Sequence, residues 1–241
     1  MLAMSGASAS SAVRPHVHRQ VSALPAVLRV AAFPATIVVA IAAAVLLLLS
    51  PLFIHPALDW AGSMAWLGVT AEAARGYSDR TVAELLFGPA TFAFSAPNGT
   101  PFYGADEIGH LHDVRFVLFA LLGLAVVSVG VLVVAAWQGR RDAGLWRTVS
   151  AAGATLAVAT LAMGVFAAVA FSFAFELFHR LLFPGGNWSF DPTSQRLVQL
   201  YPLAFWQLAA GALAALLIAG GLATWWLARR RSRGLTRGTD A

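Results

Sequence analysis

The chain has no cysteine and no lysine among its 241 residues. The first absence removes disulfides, thiolate metal sites and any cysteine acyl-enzyme. The second makes all 16 basic side chains arginines. Charge of both signs is scarce. Asp, Glu, Lys and Arg together make 11% of the chain against 59% hydrophobic residues, whereas soluble domains carry about a quarter charged and nearer half apolar. A soluble fold of this length cannot hide that much apolar surface, but a bilayer solvates it cheaply. The net charge of +5 and the pI of about 10.9 match those of a nucleic-acid binder in size only. The arginines flank apolar runs, as the positive-inside rule requires, so no nucleic-acid partner is assigned.

What is present is four apolar runs, at 27–50, 114–137, 148–175 and 203–227. Each is long enough for a hydrocarbon core of roughly 30 Å, which takes about 20 helical residues. The first is entered at Pro25, stopped at Pro51 and expected to bend at Pro34. Arg29 can snorkel at its inner end. Trp206, Trp225 and Trp226 sit near the ends of the fourth as interface anchors. The expected fold is an all-α membrane protein with four transmembrane helices and both termini cytoplasmic, in a bacterial inner membrane. In that orientation Arg14, Arg19, Arg29, Arg140, Arg141, Arg147, Arg229, Arg230, Arg231, Arg233 and Arg237 lie inside, against only Asp142 and Asp240. The outer segments hold Arg75, Arg80, Arg115, Arg180 and Arg196 against nine acids. Residues 1–25 form a polar Ser/Ala-rich cytoplasmic tail expected to be disordered, 26–228 the membrane domain and 229–241 a basic cytoplasmic tail.

Outer loops at about 55–113 and 177–202 then form a helical and irregular cap. Residues 59–75 are expected as one amphipathic helix, with Trp60, Met64, Trp66 and Leu67 available to lie on lipid. Thr81 and Glu84 fit a capping box that starts a short helix. Pro89, Pro97, Asn98–Gly99 and Pro101 break structure until Asp106, the expected N-cap of a helix running into the second span.

Chemistry concentrates at two points. Glu107, His110 and Asp113 are spaced i, i+3, i+6 and share a helix face, while His112 points elsewhere. Glu176 and His179 are i, i+3 at the outer end of the third run, followed by Phe183-Pro-Gly-Gly186 and the aromatic-polar loop Asn187-Trp188-Ser189-Phe190-Asp191. Each segment alone is an ordinary polar helix end. Both histidine-bearing ends, however, lie at one membrane depth on one face. Such a set suits general acid–base work with the carboxylates orienting a ring, a divalent metal site, or a static hydrogen-bonded cluster. Ser95 and Ser189 lack the strained G-x-S-x-G context of a nucleophile.

Glu107-Ile-Gly-His-Leu-His-Asp-Val-Arg115, together with Phe178-His179, Phe183-Pro184, Asn187-Trp188-Ser-Phe190-Asp191-Pro192, Leu197 and Leu200-Tyr-Pro202, resembles a family of bacterial integral membrane proteins. That family includes the lipoprotein intramolecular transacylase, Lit. The four-span layout with a large first outer loop is similar too, from about Pro34 to Trp226. The long Arg/Ser/Ala tails depart from typical members.

The resemblance implies an enzyme that binds a diacylglyceryl lipoprotein with a free N-terminal Cys amine. It would move the sn-2 acyl chain from glyceryl oxygen to that amine, leaving a lyso-form product. His110 and His179 are then the expected acid–base pair, with Glu107 and Asp113 orienting them and Arg115, Asn187 and Trp188 contacting substrate. No Cys or Ser nucleophile is required, because the amine attacks directly, and no cofactor or metal is expected on this reading. A metal-dependent membrane hydrolase using the same side chains, and a non-enzymatic membrane scaffold, remain alternatives.

Overall fold

The structure is a computed structural model and describes residues 24–96 and 98–237. The expected N-terminal tail therefore lies outside the described residues except for its last two positions. Among the described residues the chain forms α1 (Ala26–Leu48), α2 (Pro51–Ala61), α3 (Ser63–Leu67), α4 (Ala71–Leu86), α5 (Ala105–Gln138), α6 (Ala143–Val169), α7 (Phe171–Leu182), α8 (Arg196–Leu200) and α9 (Leu203–Arg237). The helices α1, α5, α6 and α9 are long and apolar enough to cross a membrane, as the four runs require.

The bundle is tightest between α6 and α9. A methyl group built on Gly153 would stand 2.6 Å from the carbonyl oxygen of Gly221 and 2.7 Å from the amide nitrogen of Trp225. Only glycine lets the two backbones come that close, and small residues at helix contacts are how packing replaces hydrophobic drive inside lipid. The Ser150 hydroxyl crosses the same interface to the carbonyl of Trp225. At the arginine-rich end, Asp142 caps α6 by accepting the N–H groups of Gly144 and Leu145. It also takes a 2.7 Å bond from Arg29 of α1.

Several local expectations are corrected. The helix foreseen at 59–75 is broken into α2, α3 and the start of α4, because Gly62 and Gly68 take left-handed φ of 75° and 65° and end successive helices. Trp60 and Trp66 are exposed as anticipated, but Leu67 turns into the core. Thr81 does not cap a helix. Thr70 caps α4 instead, and Thr81 lies inside α4 with its hydroxyl on the Tyr77 carbonyl. The cap of α5 is Gly104, not Asp106. Its N–H reaches the Glu107 carboxylate at 2.7 Å, and Asp106 falls in the first turn, where its charge suits the positive helix end. The third run is two helices, because Ala170 leaves helical geometry (φ −130°, ψ 50°) between α6 and α7. The basic tail expected from 229 continues α9 as helix to Arg237.

A core fills the cap above the bundle. Leu58, Phe92, Tyr103 and Leu200 are almost wholly buried there, and burial of each such side chain contributes about 1.5–3 kcal/mol. Tyr77 and Phe102 stack with centroids 4.0 Å apart. The two buried phenols end on hydroxyls of adjacent turns of α4: Tyr103 on Thr81 and Tyr201 on Ser78, both at 2.8 Å. Without those partners the phenols would cost stability in an apolar interior. These contacts fix the start of α5 and the segment before α9, the supports on which the candidate site stands.

Candidate active site

His110 lies in the second turn of α5, ahead of the apolar stretch that begins near Val114. His179 lies in the last turn of α7. Both are buried, with 7% and 8% of their surface exposed. Their ring centroids stand 6.0 Å apart with planes inclined by 27°. The break at Ala170 makes this possible, since it frees α7 from the line of α6 and lets its last turn approach α5.

Aromatic rings surround the pair. His110 meets the edges of Phe183 at 4.8 Å and Phe190 at 5.6 Å. His179 packs on Phe175 at 4.1 Å and on Trp188 at 5.1 Å. Burial in these surroundings pushes both imidazoles below the ordinary histidine range. For His110 the neighbouring His179 adds to the effect and Asp113 opposes it; for His179 a hydrogen bond to the Phe175 carbonyl opposes it. The shift favours the neutral form of each ring, the form that can accept a proton.

The tautomer of His179 follows from its partner. Its Nδ1 lies 2.8 Å from the carbonyl oxygen of Phe175, which only accepts, so Nδ1 carries the hydrogen and Nε2 keeps its lone pair. The Nδ1 of His110 is buried and has no hydrogen-bond partner among the described residues. A buried polar atom left open at such a site is one that a substrate atom can satisfy.

The other expected site residues divide. Asp113 is brought to the site's edge, where its carboxylate accepts the Asn187 amide at 2.8 Å. That bond ties the loop after α7 to α5. Trp188 is brought in as a wall against His179. Glu107 is not brought to either ring. Its two oxygens accept the N–H groups of Gly104 at 2.7 Å and Leu197 at 2.6 Å. It caps α5 and pins α8, so it sets where the helix carrying His110 begins. Arg115 is also elsewhere. It neither pairs with Asp113 nor faces the histidines; its guanidinium donates to the carbonyls of Glu84 and Gly88 and closes the C-terminal end of α4. Glu176 pairs with Arg180 at the surface. His112 is exposed and bound to the Ala90 carbonyl at 2.7 Å, away from the pair.

Sequence reasoning gave no role to Phe175, Phe183 or Phe190. A signal existed for the first, since Phe175 and His179 are i, i+4 on one helix face. The other two reach His110 through the loop fold, which carries no periodicity. Among the described residues no three His, Asp or Glu side chains gather as a metal site would require.

A family profile described as "Lipoprotein intramolecular transacylase Lit" matches residues 77–206, a span that holds every residue of the site. An uncharacterized protein of Aquifex aeolicus (strain VF5) is 29% identical over 114 residues, covering 45% of this chain and 48% of its own. The chain thus spans about half the length of that curated relative. The solved membrane integral lipoprotein intramolecular transacylase Lit of Bacillus cereus superposes with a TM-score of 0.74 at 17% identity, over 86% of this chain and 95% of that one. A variant of it with one histidine changed to alanine gives 0.70, also at 17% identity, over 86% and 93%. At that identity the likeness is one of fold.

Proposed function

The chain belongs to the lipoprotein intramolecular transacylase Lit family, and from that premise we propose that it is a membrane acyltransferase acting on a diacylglyceryl lipoprotein. It moves the sn-2 acyl chain onto the α-amine of the lipoprotein's N-terminal cysteine. The observation that carries this reading is the pair of buried imidazoles 6.0 Å apart in an aromatic surround.

Both reacting groups belong to one substrate, so holding them in attack geometry supplies much of the acceleration. The amine nitrogen attacks the sn-2 ester carbon, and His179 Nε2 takes the proton that the nitrogen loses. The tetrahedral oxyanion needs a donor, and a hydrogen on the unpartnered Nδ1 of His110 fits that need. When the bond to the glyceryl oxygen breaks, the protonated imidazole returns the proton to that oxygen. An amide and a free sn-2 hydroxyl result, with no net proton uptake and no cofactor. Water is not a reactant, and the rings of Phe175, Phe183, Trp188 and Phe190 favour its exclusion. Trp188 serves as a wall for the substrate's glyceryl or acyl part. Asp113 with Asn187 braces the loop, and Glu107 acts as a positioning residue through the start of α5.

The arginine tally supports both termini in the cytoplasm and the histidines at the extracytoplasmic face of a bacterial inner membrane. Mass spectrometry of lipoprotein N-termini from cells with and without the protein tests the reading. N-acylated lyso-form termini should appear only when it is present. Identical termini in both would defeat it.

A further inference from the structure

We propose that a groove at the arginine-rich end of the bundle binds one acyl chain of an anionic phospholipid, with the Trp146 indole N–H and the Arg231 guanidinium meeting its headgroup. The groove opens between α1, α5, α6 and α9 and has a volume of about 580 Å³, within the range of ordinary small-ligand sites. It is separate from the histidine pair. On α5 it is lined from Leu132 onward, 22 residues beyond His110, which is about 33 Å at the helical rise per residue.

Its narrow, apolar course along α1 argues for a lipid chain. On α1 the lining runs down one face from Thr36 through Ala40 and Ala43 to Leu47. Those 12 residues span about 16 Å, and they begin ten residues, about 15 Å, in from Ala26 at the arginine-rich end, so the groove continues from the headgroup end into the interior of the bundle. The walls are almost entirely apolar and mostly small. A methyl group built on Gly220, which also lines the groove, meets nothing within 4 Å.

The headgroup end argues for negative charge. Trp146 lines the groove, and its indole nitrogen is buried with no hydrogen-bond partner among the described residues. Trp is a donor only, so the atom that satisfies it must be an acceptor, such as a phosphate or ester oxygen. Arg231 lies over the same ring, 5.0 Å from its centroid, and bonds the Arg140 carbonyl. Arg141, Arg147, Arg229 and Arg230 add charge at this end, where the nearest acid, Asp142, is already paired with Arg29. Basic pockets between spanning helices are where acidic lipid headgroups settle.

Photolabelling of the purified full-length chain in nanodiscs tests this. The probes are a phosphatidylglycerol and a phosphatidylcholine with the same diazirine-bearing acyl chain, and labelled peptides are mapped by mass spectrometry. Phosphatidylglycerol is expected to label residues 36–47 and 216–224 in excess over phosphatidylcholine. Arg231→Gln should lower that label about fivefold, the effect of one arginine near an acidic headgroup. Trp146→Phe, which keeps the ring and removes the donor, should lower it too. Ala40→Phe should fill the groove and abolish it, and the two milder variants keep the test decisive if Ala40→Phe fails to accumulate. Equal labelling by both probes, or labelling indifferent to Trp146→Phe and Arg231→Gln, overturns the proposal. So does a photoreactive residue at position 40 that captures residues 1–23 or a second copy of the chain.

Discussion

Asn187 donates its side-chain amide to Asp113 at 2.8 Å, and through that bond the loop following His179 is fastened to the helix that carries His110. The two histidines come from segments 69 residues apart in the chain, so this polar tether and the ring contacts set their spacing. Asn187→Ala or Asp113→Ala should therefore slow conversion about a hundredfold or less, the scale of a small misplacement, while the protein inserts normally. Accumulation of lyso-form lipoprotein over time measures this. A wild-type rate in both variants would remove the tether from the mechanism.

His110→Ala and His179→Ala should each reduce conversion by about 10²–10⁴, the usual worth of a general acid–base group. His112→Ala should be much milder, since that ring is bound to the Ala90 carbonyl outside the pair. The comparison needs equal abundance of the variants by immunoblot. An active His110→Ala beside an inactive His112→Ala would move the site to the other face of α5.

The depressed basicity of both rings gives a pH signature. The substrate's α-amine takes up its own proton below about 8, which gives one falling limb. A second limb, from the histidines, should appear only below about 6.5, the ordinary imidazole value, because burial lowers both. The linked stability has the same sign. The unfolded chain binds these protons first as pH falls, so the contribution is intact above about 6.5 and lost as pH drops toward the folded-state values. A histidine limb above pH 7 in the conversion profile would contradict the burial.

Glu107 is 3% exposed and accepts two backbone N–H groups. Glu107→Ala leaves the buried Leu197 N–H unmet, at about 1–3 kcal/mol, and takes the cap from the exposed Gly104 N–H. Thermal unfolding in detergent should show the loss. Glu107→Gln should recover part of it, since one amide oxygen still accepts. An unchanged melting temperature in Glu107→Ala would mean water takes over the cap.

Reporter fusions should put Gly234 and Asn98 on opposite sides of the membrane, because the arginines concentrate at one end of the bundle. Finding them on one side would break the assumed face of the site.

The four spans were legible because twenty apolar residues in a row admit little else. The pairing of His110 with His179 was legible from depth, since both stand just beyond apolar runs at the same end. The break at Ala170 was not. Nothing in Val-Ala-Phe-Ser distinguishes that step from helix, and the hydropathy of 148–175 runs smoothly across it. The work of Glu107 and Arg115 was hidden for a different reason. Both serve backbone groups of distant segments, Leu197 for one and Glu84 and Gly88 for the other, and a backbone donor or acceptor leaves no mark on sequence. Gly62 and Gly68 were visible as glycines, but only their left-handed φ shows that they end helices.

The close approach of Gly153 to Gly221 makes α6 a lever with a fixed fulcrum. Ala170 lies 17 residues from that contact, an arm of about 25 Å, and α7, which carries His179, starts at its far end. A side chain forced between the glycines that tilted α6 by about 5° would swing the arm tip by about 2 Å, enough to part the imidazoles without touching either. Inactivating substitutions in this protein should thus include some deep in the bundle whose mechanical advantage, not their chemistry, disables the site.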